Sequence, residues 1–341
     1  PYYFVGTNFW YGAILGSEGE GGDRERLAKE LDFMKAHGID NLRVLIGGEG
    51  ENGLLGKIEP NLQPKPGEYN DEVLAGLDYL LMELGKRDMT AVLYFNNAWE
   101  WSGGYTQYVA WANNEPVLVP RVDGWFSYNT FAGEFVRNER AKELYYNHVR
   151  YIVTRTNRYT GIKYIDDPAI FSWQISNEPR AFSSKEQDNK EAFAEWITTS
   201  AKLIRKLDPN HMISTGSEGY YGCEWDMELC EKIHAIDEIS YINCHVWPYN
   251  WKWMRGDKMQ EDLQRSCENT EEYINMHIEL ADKINKPLVV EEFGMPRDNM
   301  DFRKKSGVAC RDKYYTFVFE MIEKAKAEGG KFAGCNFWSW G

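Results

Sequence analysis

Short apolar runs rich in β-branched and aromatic residues alternate along this chain with stretches whose apolar positions recur every three to four residues. The runs cover residues 3–10, 41–46, 90–95, 170–175, 212–217, 239–247, 287–294 and 332–340. Runs that are apolar nearly throughout suit strands covered on both faces. Between them lie helical stripes: Leu27, Leu31 and Met34 within 23–38; Leu74, Leu77, Leu81 and Leu84 within 70–88; Ile274, Ile278, Ala281 and Ile284 within 270–285; Phe317, Met321 and Ala325 within 310–329. Further helices fit 141–161, 189–208 and 227–236. Asp23 and Asn70 stand where N-caps belong, and Glu271 with Glu272 places negative charge in an expected first turn.

Eight strands alternating with seven helices predict a parallel sheet closed into a (β/α)8 barrel, with residues 1–341 forming one domain. The chain has about 43 residues per unit, against roughly 31 in a barrel of about 250 residues. The excess falls in 15–22, 47–69 and 96–140, after strands 1, 2 and 3. These positions lie at the face where barrel active sites are built. A helix should also cover strand 8. None follows it here, so the natural protein is expected to continue beyond Gly341. Pro1 is not an initiator methionine; the expectation is a processed or trimmed form of a secreted, periplasmic or cell-surface protein.

Composition narrows the chemistry. Apolar residues make up 43% and charged residues 27%, which excludes disordered and collagen-like chains. A net charge of −14 repels phosphate backbones and anionic lipid, and no run is long enough to span a membrane, so nucleic acid and membrane are not expected partners. Thirteen tryptophans, many beside glycine and asparagine in apparent loops, suit a neutral hydroxyl-rich ligand. The six cysteines form no C-x-x-C; Cys223 and Cys230 are expected as free thiols, with a disulfide across their short gap as the alternative. No P-loop, H-E-x-x-H or EF-hand loop occurs, and Thr215-Gly-Ser217-Glu-Gly219 lacks the first glycine of a nucleophile elbow. Neither cofactor nor metal is implied.

Polar and aromatic residues at the ends of the strands are the informative ones: Asn8 and Trp10, Arg43, Asn96 and Asn97, Asn177 and Glu178, Ser217 and Glu218, His245 and Trp247, Glu291 and Glu292, Trp338 and Trp340. Glu178 ends an apolar run and is followed by Pro179; Glu292 ends Leu288-Val-Val-Glu-Glu292. Carboxylates there are costly to bury unless used, and a facing pair is the equipment of glycoside hydrolysis. Because strand neighbours point to opposite faces, only one of Glu291 and Glu292 is expected inside.

Ser176-Asn177-Glu178-Pro179 together with Glu292-Phe293-Gly294, Arg43, His245-Val-Trp247 and Trp338 resembles glycoside hydrolase family 5. Tyr94-Phe-Asn-Asn97, Trp99-Glu-Trp-Ser-Gly-Gly-Tyr105 and Gly216-Ser-Glu-Gly219 resemble its mannan-active branch. The resemblance implies a retaining enzyme with Glu292 as nucleophile and Glu178 as acid/base. It implies that Arg43 keeps Glu292 ionised and that Asn177 binds the sugar 2-hydroxyl. His245 would bind substrate or position a carboxylate, and Trp338 would lie beneath the reacting sugar. Trp99, Trp101, Trp247 and Trp10 would line the cleft. Many family members carry a histidine where this chain has Asn96 and Asn97, which are expected near substrate. The implied substrate is neutral β-mannan or manno-oligosaccharide, cut at β-1,4-mannosidic linkages. An exo-β-mannosidase, a β-1,4-glucanase and a non-catalytic sugar-binding barrel are the alternatives.

Overall fold

In the computed structural model, which describes residues 2–54 and 56–340, each of the eight runs contains a strand. They are β1 (Phe4–Asn8), β2 (Asn41–Leu45), β3 (Thr90–Tyr94), β4 (Ile170–Gln174), β5 (Met212–Ser214), β6 (Ile242–Val246), β7 (Leu288–Phe293) and β8 (Phe332–Phe337). The pairings run in the order β5-β4-β3-β2-β1-β8-β7-β6, all parallel. Between β5 and β6 no ladder forms among the described residues. There Ser240 N–H donates to Ile213 O at 2.8 Å, and the Asn243 side-chain oxygen accepts from Thr215 N (3.0 Å) and Gly216 N (2.9 Å). The result is a nearly closed (β/α)8 barrel. The helix expected beyond Gly341 lies outside the described residues.

The helices are α1 (Gly12–Leu15), α2 (Arg24–Ala36), α3 (Asp71–Gly85), α4 (Gly104–Asn113), α5 (Pro120–Ala132), α6 (Glu139–Val153), α7 (Lys190–Leu207), α8 (Met227–His234), α9 (Met259–Ile284) and α10 (Ala309–Glu328). Asp23 and Asn70 cap α2 and α3 through their side-chain oxygens, meeting N–H groups the first turn leaves unpaired. In α9 the periodicity starts too late: the helix begins at Met259, so Glu271 and Glu272 lie in its middle. Its first three turns bury Asp262, Ser266 and Thr270 rather than aliphatic residues. The two hydroxyls bond back to the carbonyls four residues earlier, which hides their polarity and erases the apolar signal. The 96–140 insert holds α4 and α5, which the strand-and-stripe pattern did not anticipate.

The inserts after β2 and β3 form one wall. Glu49 N–H donates to Ser102 O, Ile58 N–H to Trp101 O, and Gly104 N–H to the Glu49 carboxylate. Lys57 joins them by donating to Gln107 Oε1 at 2.8 Å. At the opposite end of the barrel, Phe4, Tyr241 and Val289 fill the interior against Phe171 and Met212. All six cysteines are free thiols; Cys223 and Cys230 are buried beside each other without a bond.

β5 is only three residues long because Gly216 turns the chain at φ +78°. A Cβ there would stand 1.8 Å from Ser176 O, just before Asn177 and Glu178. Gly216→Ala therefore meets both a left-handed backbone and a clash, and should cost about 2 kcal/mol or more in urea unfolding. A melt unchanged from the parent protein would show that this turn does not hold the end of β4.

Candidate active site

Past β4 the chain stays in register. Asn177 N–H donates to Asn96 O at 2.8 Å and Glu178 N–H to Gly216 O at 2.9 Å. Glu178 then takes φ +47° before Pro179, a conformation rare for a side-chain-bearing residue and concentrated at functional sites. On β7 the register shifts: His245 pairs with Glu292 while Cys244 pairs with Val290, so Glu291 has no partner. The irregularity breaks the alternation expected of neighbouring strand residues, and both Glu291 and Glu292 are buried inside the barrel.

Arg43, fully buried on β2, connects these parts. Its Nη1 donates to Glu292 Oε1 at 2.5 Å and to Asn8 Oδ1 at 3.1 Å. Its Nη2 donates to Asn177 Oδ1 at 2.8 Å, and its Nε to Gln174 Oε1 at 2.8 Å. The Tyr94 ring stacks against the guanidinium at 4.5 Å. His245 Nδ1 lies 2.9 Å from Glu178 Oε1 and 3.5 Å from Glu292 Oε2. Burial lowers the pKa of His245 to about 3, so the ring is neutral. The facing atoms of Glu178, His245 and Glu292 all lie within 4.8 Å of one another. That spacing is within reach of a metal ion, but the carboxylate oxygens already accept N–H bonds from Trp99, Arg43 and Trp247. The donor set suits proton sharing.

Burial raises the pKa of both Glu178 and Glu292. The Arg43 guanidinium opposes this at Glu292 by direct contact, while Glu178 has its strongest opposing charge in Arg180. Arg43 therefore favours the ionised form of Glu292 by direct contact. Each carboxyl also meets one indole: Trp99 Nε1 donates to Glu178 Oε2, and Trp247 Nε1 to Glu292 Oε2 at 3.3 Å.

The two carboxyls open into a cleft of about 630 Å³ walled by Trp99, Trp101, Trp125, Tyr221, Trp247, Trp251 and Trp338. A second hollow of about 750 Å³ shares Trp247, Asn250 and Trp338 with it but holds neither carboxyl. Of the residues expected to touch substrate, Asn177, Trp99, Trp101, Trp247 and Trp338 line the cleft. Arg43, His245, Asn96, Asn97 and Trp10 do not. Asn97 Oδ1 accepts from Trp99 N and Asn177 Nδ2, both at 3.1 Å, and Asn96 Oδ1 accepts from Asn97 N, so these amide oxygens are spent on the loop, while the buried Asn96 Nδ2 has no partner among the described residues. Trp10 stands behind Trp101, edge to face at 5.7 Å. His245 is sealed between the carboxyls, which fits positioning over substrate contact.

Arg180 and Glu218 were not given a role from sequence, although Glu218 stands among the strand-end residues. Arg180 Nε donates to Glu218 Oε2 at 2.6 Å, and the guanidinium lies 5.0 Å over the Trp99 ring. The pair depends on loops after β4 and β5 meeting in space, and no local pattern announces that.

The chain matches the family model described as glycoside hydrolase family 5 β-mannosidase-like over residues 1–341. A family 5 mannosidase from Rhizomucor miehei is 33% identical and superposes with a TM-score of 0.92, covering 100% of this chain and 82% of its own. A variant of that enzyme was solved in complex with mannosyl-fructose. Mannan endo-1,4-β-mannosidase 7 of Arabidopsis thaliana is 28% identical over 99% of this chain and 74% of its own length.

Three buried carboxyls, Glu49, Glu218 and Glu291, have their pKa raised to about 7, first of all by burial. Between an unfolded value near 4.3 and the folded value, the native state binds more protons than the unfolded chain. Their contribution to stability is complete below about 4.3 and is lost as pH rises through 7. Burial lowers the pKa of His148, His234, His245 and His277, whose contribution grows as pH rises towards 6.5, so the carboxyl effect is read from a variant. Glu218→Gln should gain stability relative to the parent protein between pH 5 and pH 8, by on the order of 2 kcal/mol in urea unfolding. A difference that does not change with pH would contradict this assignment.

Proposed function

The chain belongs to glycoside hydrolase family 5, in its β-mannosidase-like group, and on that premise we propose that it cleaves β-1,4-mannosidic linkages with retention, using Glu292 as nucleophile and Glu178 as acid/base. The observation that carries this reading is the pair of carboxyls with facing oxygens within 4.8 Å, one held by Arg43 and the other facing neutral His245. Retaining enzymes place these groups about 5–5.5 Å apart, while inverting ones need about 6.5–9.5 Å to admit a water.

Glu292 attacks the anomeric carbon as Glu178 protonates the departing oxygen. The glycosidic bond breaks and a neutral mannosyl ester forms on Glu292. Loss of the Glu292 charge lowers the pKa of Glu178, which then takes a proton from the water that hydrolyses the ester. Asn177, fixed by Arg43 and Asn97, presents its amide to the sugar 2-hydroxyl. Trp338 supplies an apolar face beneath the reacting sugar, and Trp99, Trp101 and Trp247 flank it. Neutral β-mannan and manno-oligosaccharides suit this aromatic, acidic cleft. A plant-wall type of polymer lies outside cells, in keeping with an exported enzyme.

A second reading, exo-action releasing mannose, draws on the wall formed by Trp101. Trp101 O accepts from Ile58 N at 2.8 Å, and Trp10 closes the space behind its ring. Digestion of mannohexaose separates the two readings: mannose alone marks exo-action, and mixed oligosaccharides mark endo-action. Cleavage of cellohexaose in preference to mannohexaose would overturn both.

Glu178→Ala should lose activity on polymer by several orders of magnitude yet retain the first step with an activated aryl mannoside, whose leaving group departs unprotonated. Azide should then restore turnover and yield the β-mannosyl azide. Glu292→Gln should lose activity on both substrates without rescue of that kind. Full polymer activity in either variant would remove the assignment.

A further inference from the structure

Glu291 is a wholly buried carboxyl for which the two-carboxyl mechanism has no use. With Val289 in the barrel interior, alternation points Glu291 inward too, and the register shift on β7 brings Glu292 in beside it. Its Oε2 accepts from Gln174 Nε2 at 2.5 Å and lies 3.8 Å from Arg43 Nε; its Oε1 accepts from the Tyr241 hydroxyl at 3.2 Å. Gln174 also accepts from Arg43 Nε, so it bridges the guanidinium and this second carboxyl. One buried cation thus stands between two buried carboxyls on adjacent residues.

On the reading that Glu292 is the nucleophile, half of this arrangement disappears during the reaction. When the Glu292 oxygen bonds to the anomeric carbon, its charge is lost. Arg43 retains its charge, being too basic to release a proton. A buried guanidinium without a counter-charge is strongly unfavourable. We infer that Glu291 is the counter-charge that keeps Arg43 neutralised while Glu292 is esterified. It acts through Arg43 and touches no substrate.

The surroundings fit that task. The groups facing Glu291 are Arg43 on β2, Gln174 on β4, Tyr241 and Cys244 at β6, and Glu292 beside it on β7, with Tyr94 on β3 stacked on Arg43. Arg43, Gln174 and Tyr241 favour its ionised form; burial and the Glu292 charge oppose it. Esterification removes the Glu292 charge and leaves the favourable contacts. Glu291 is thereby driven toward its charged form at the step that needs it, and any proton it held passes to bulk water.

A 2-deoxy-2-fluoromannosyl fluoride provides the test, since it forms the ester and hydrolyses slowly. Peptide mapping of the parent enzyme must first find the label on Glu292; a label elsewhere overturns the nucleophile assignment itself. Glu291→Gln should then slow inactivation by about ten- to a hundredfold, the size expected for one lost charge at this distance. It should also speed reactivation of the trapped enzyme, because returning the charge to Glu292 relieves Arg43. These opposite signs are diagnostic: a purely structural defect that displaced Arg43 would slow both steps. Both steps slowed, or both unchanged within twofold, would overturn the inference. Tyr241→Phe, which keeps the charge but removes one donor to it, should move both rates in the same two directions by a smaller factor. It serves as the deciding variant if Glu291→Gln does not fold; rates matching the parent enzyme would then refute the role.

Discussion

The site is organised by one buried cation that cannot leave its charge or its donors unmatched. Arg43 is fully enclosed, and a guanidinium removed from water requires both counter-charge and hydrogen-bond acceptors. It finds them on three strands or their extensions: Asn8 from β1, Gln174 and Asn177 from β4, and Glu292 and Glu291 from β7. Its planar fork fixes the direction of each partner. Glu292 and Asn177 are both held in place by the same group. The interior of this barrel is therefore apolar only at the end opposite the cleft, where Phe4, Tyr241 and Val289 pack.

Above that layer, polar requirements decide the shape. Asn97 secures both Asn177 and the backbone of Trp99, so the indole that reaches Glu178 is set by the same loop that supports the Asn177 amide. Arg180 lies on the Trp99 ring and pairs with the buried Glu218, which brings a partly exposed charge to the cleft wall. The inserts after β2 and β3 carry Trp101 to the rim and are locked to each other around the buried Glu49. Rigid aromatic faces and satisfied polar atoms give a neutral polyhydroxylated ligand both stacking surfaces and fixed partners.

The same strand-end residues show where sequence reading reaches its limit. Asn96, Asn97, His245 and Arg43 were correctly singled out as polar at strand ends, yet they sit behind the cleft lining. Position along a strand tells which end of the barrel a residue occupies, and not which neighbour consumes its hydrogen bonds. Glu291 is a sharper case. Counted back from Glu292, period-two alternation assigns it to the outer face; counted on from the interior Val289 it points inward, and a single register shift lets both glutamates lie inside. A shift of that kind follows from how β6 and β7 pair, which involves residues distant in sequence.

What the sequence determined by itself was the eightfold strand and helix alternation, the two glutamates at the ends of the fourth and seventh runs, and the family they resemble. These are local patterns or short motifs, written by burial periodicity and by the cost of a carboxylate at the end of an apolar strand. Tertiary structure alone decided that α4 and α5 build the wall, that Arg43 serves two carboxyls, that Trp99 and Trp247 each donate to one, and that Arg180 meets Glu218. Each of these is a pairing across the barrel mouth between residues tens to hundreds of positions apart. Such pairings are fixed by closure of the sheet and by the need to satisfy every buried polar atom at once, a condition no local stretch of sequence expresses.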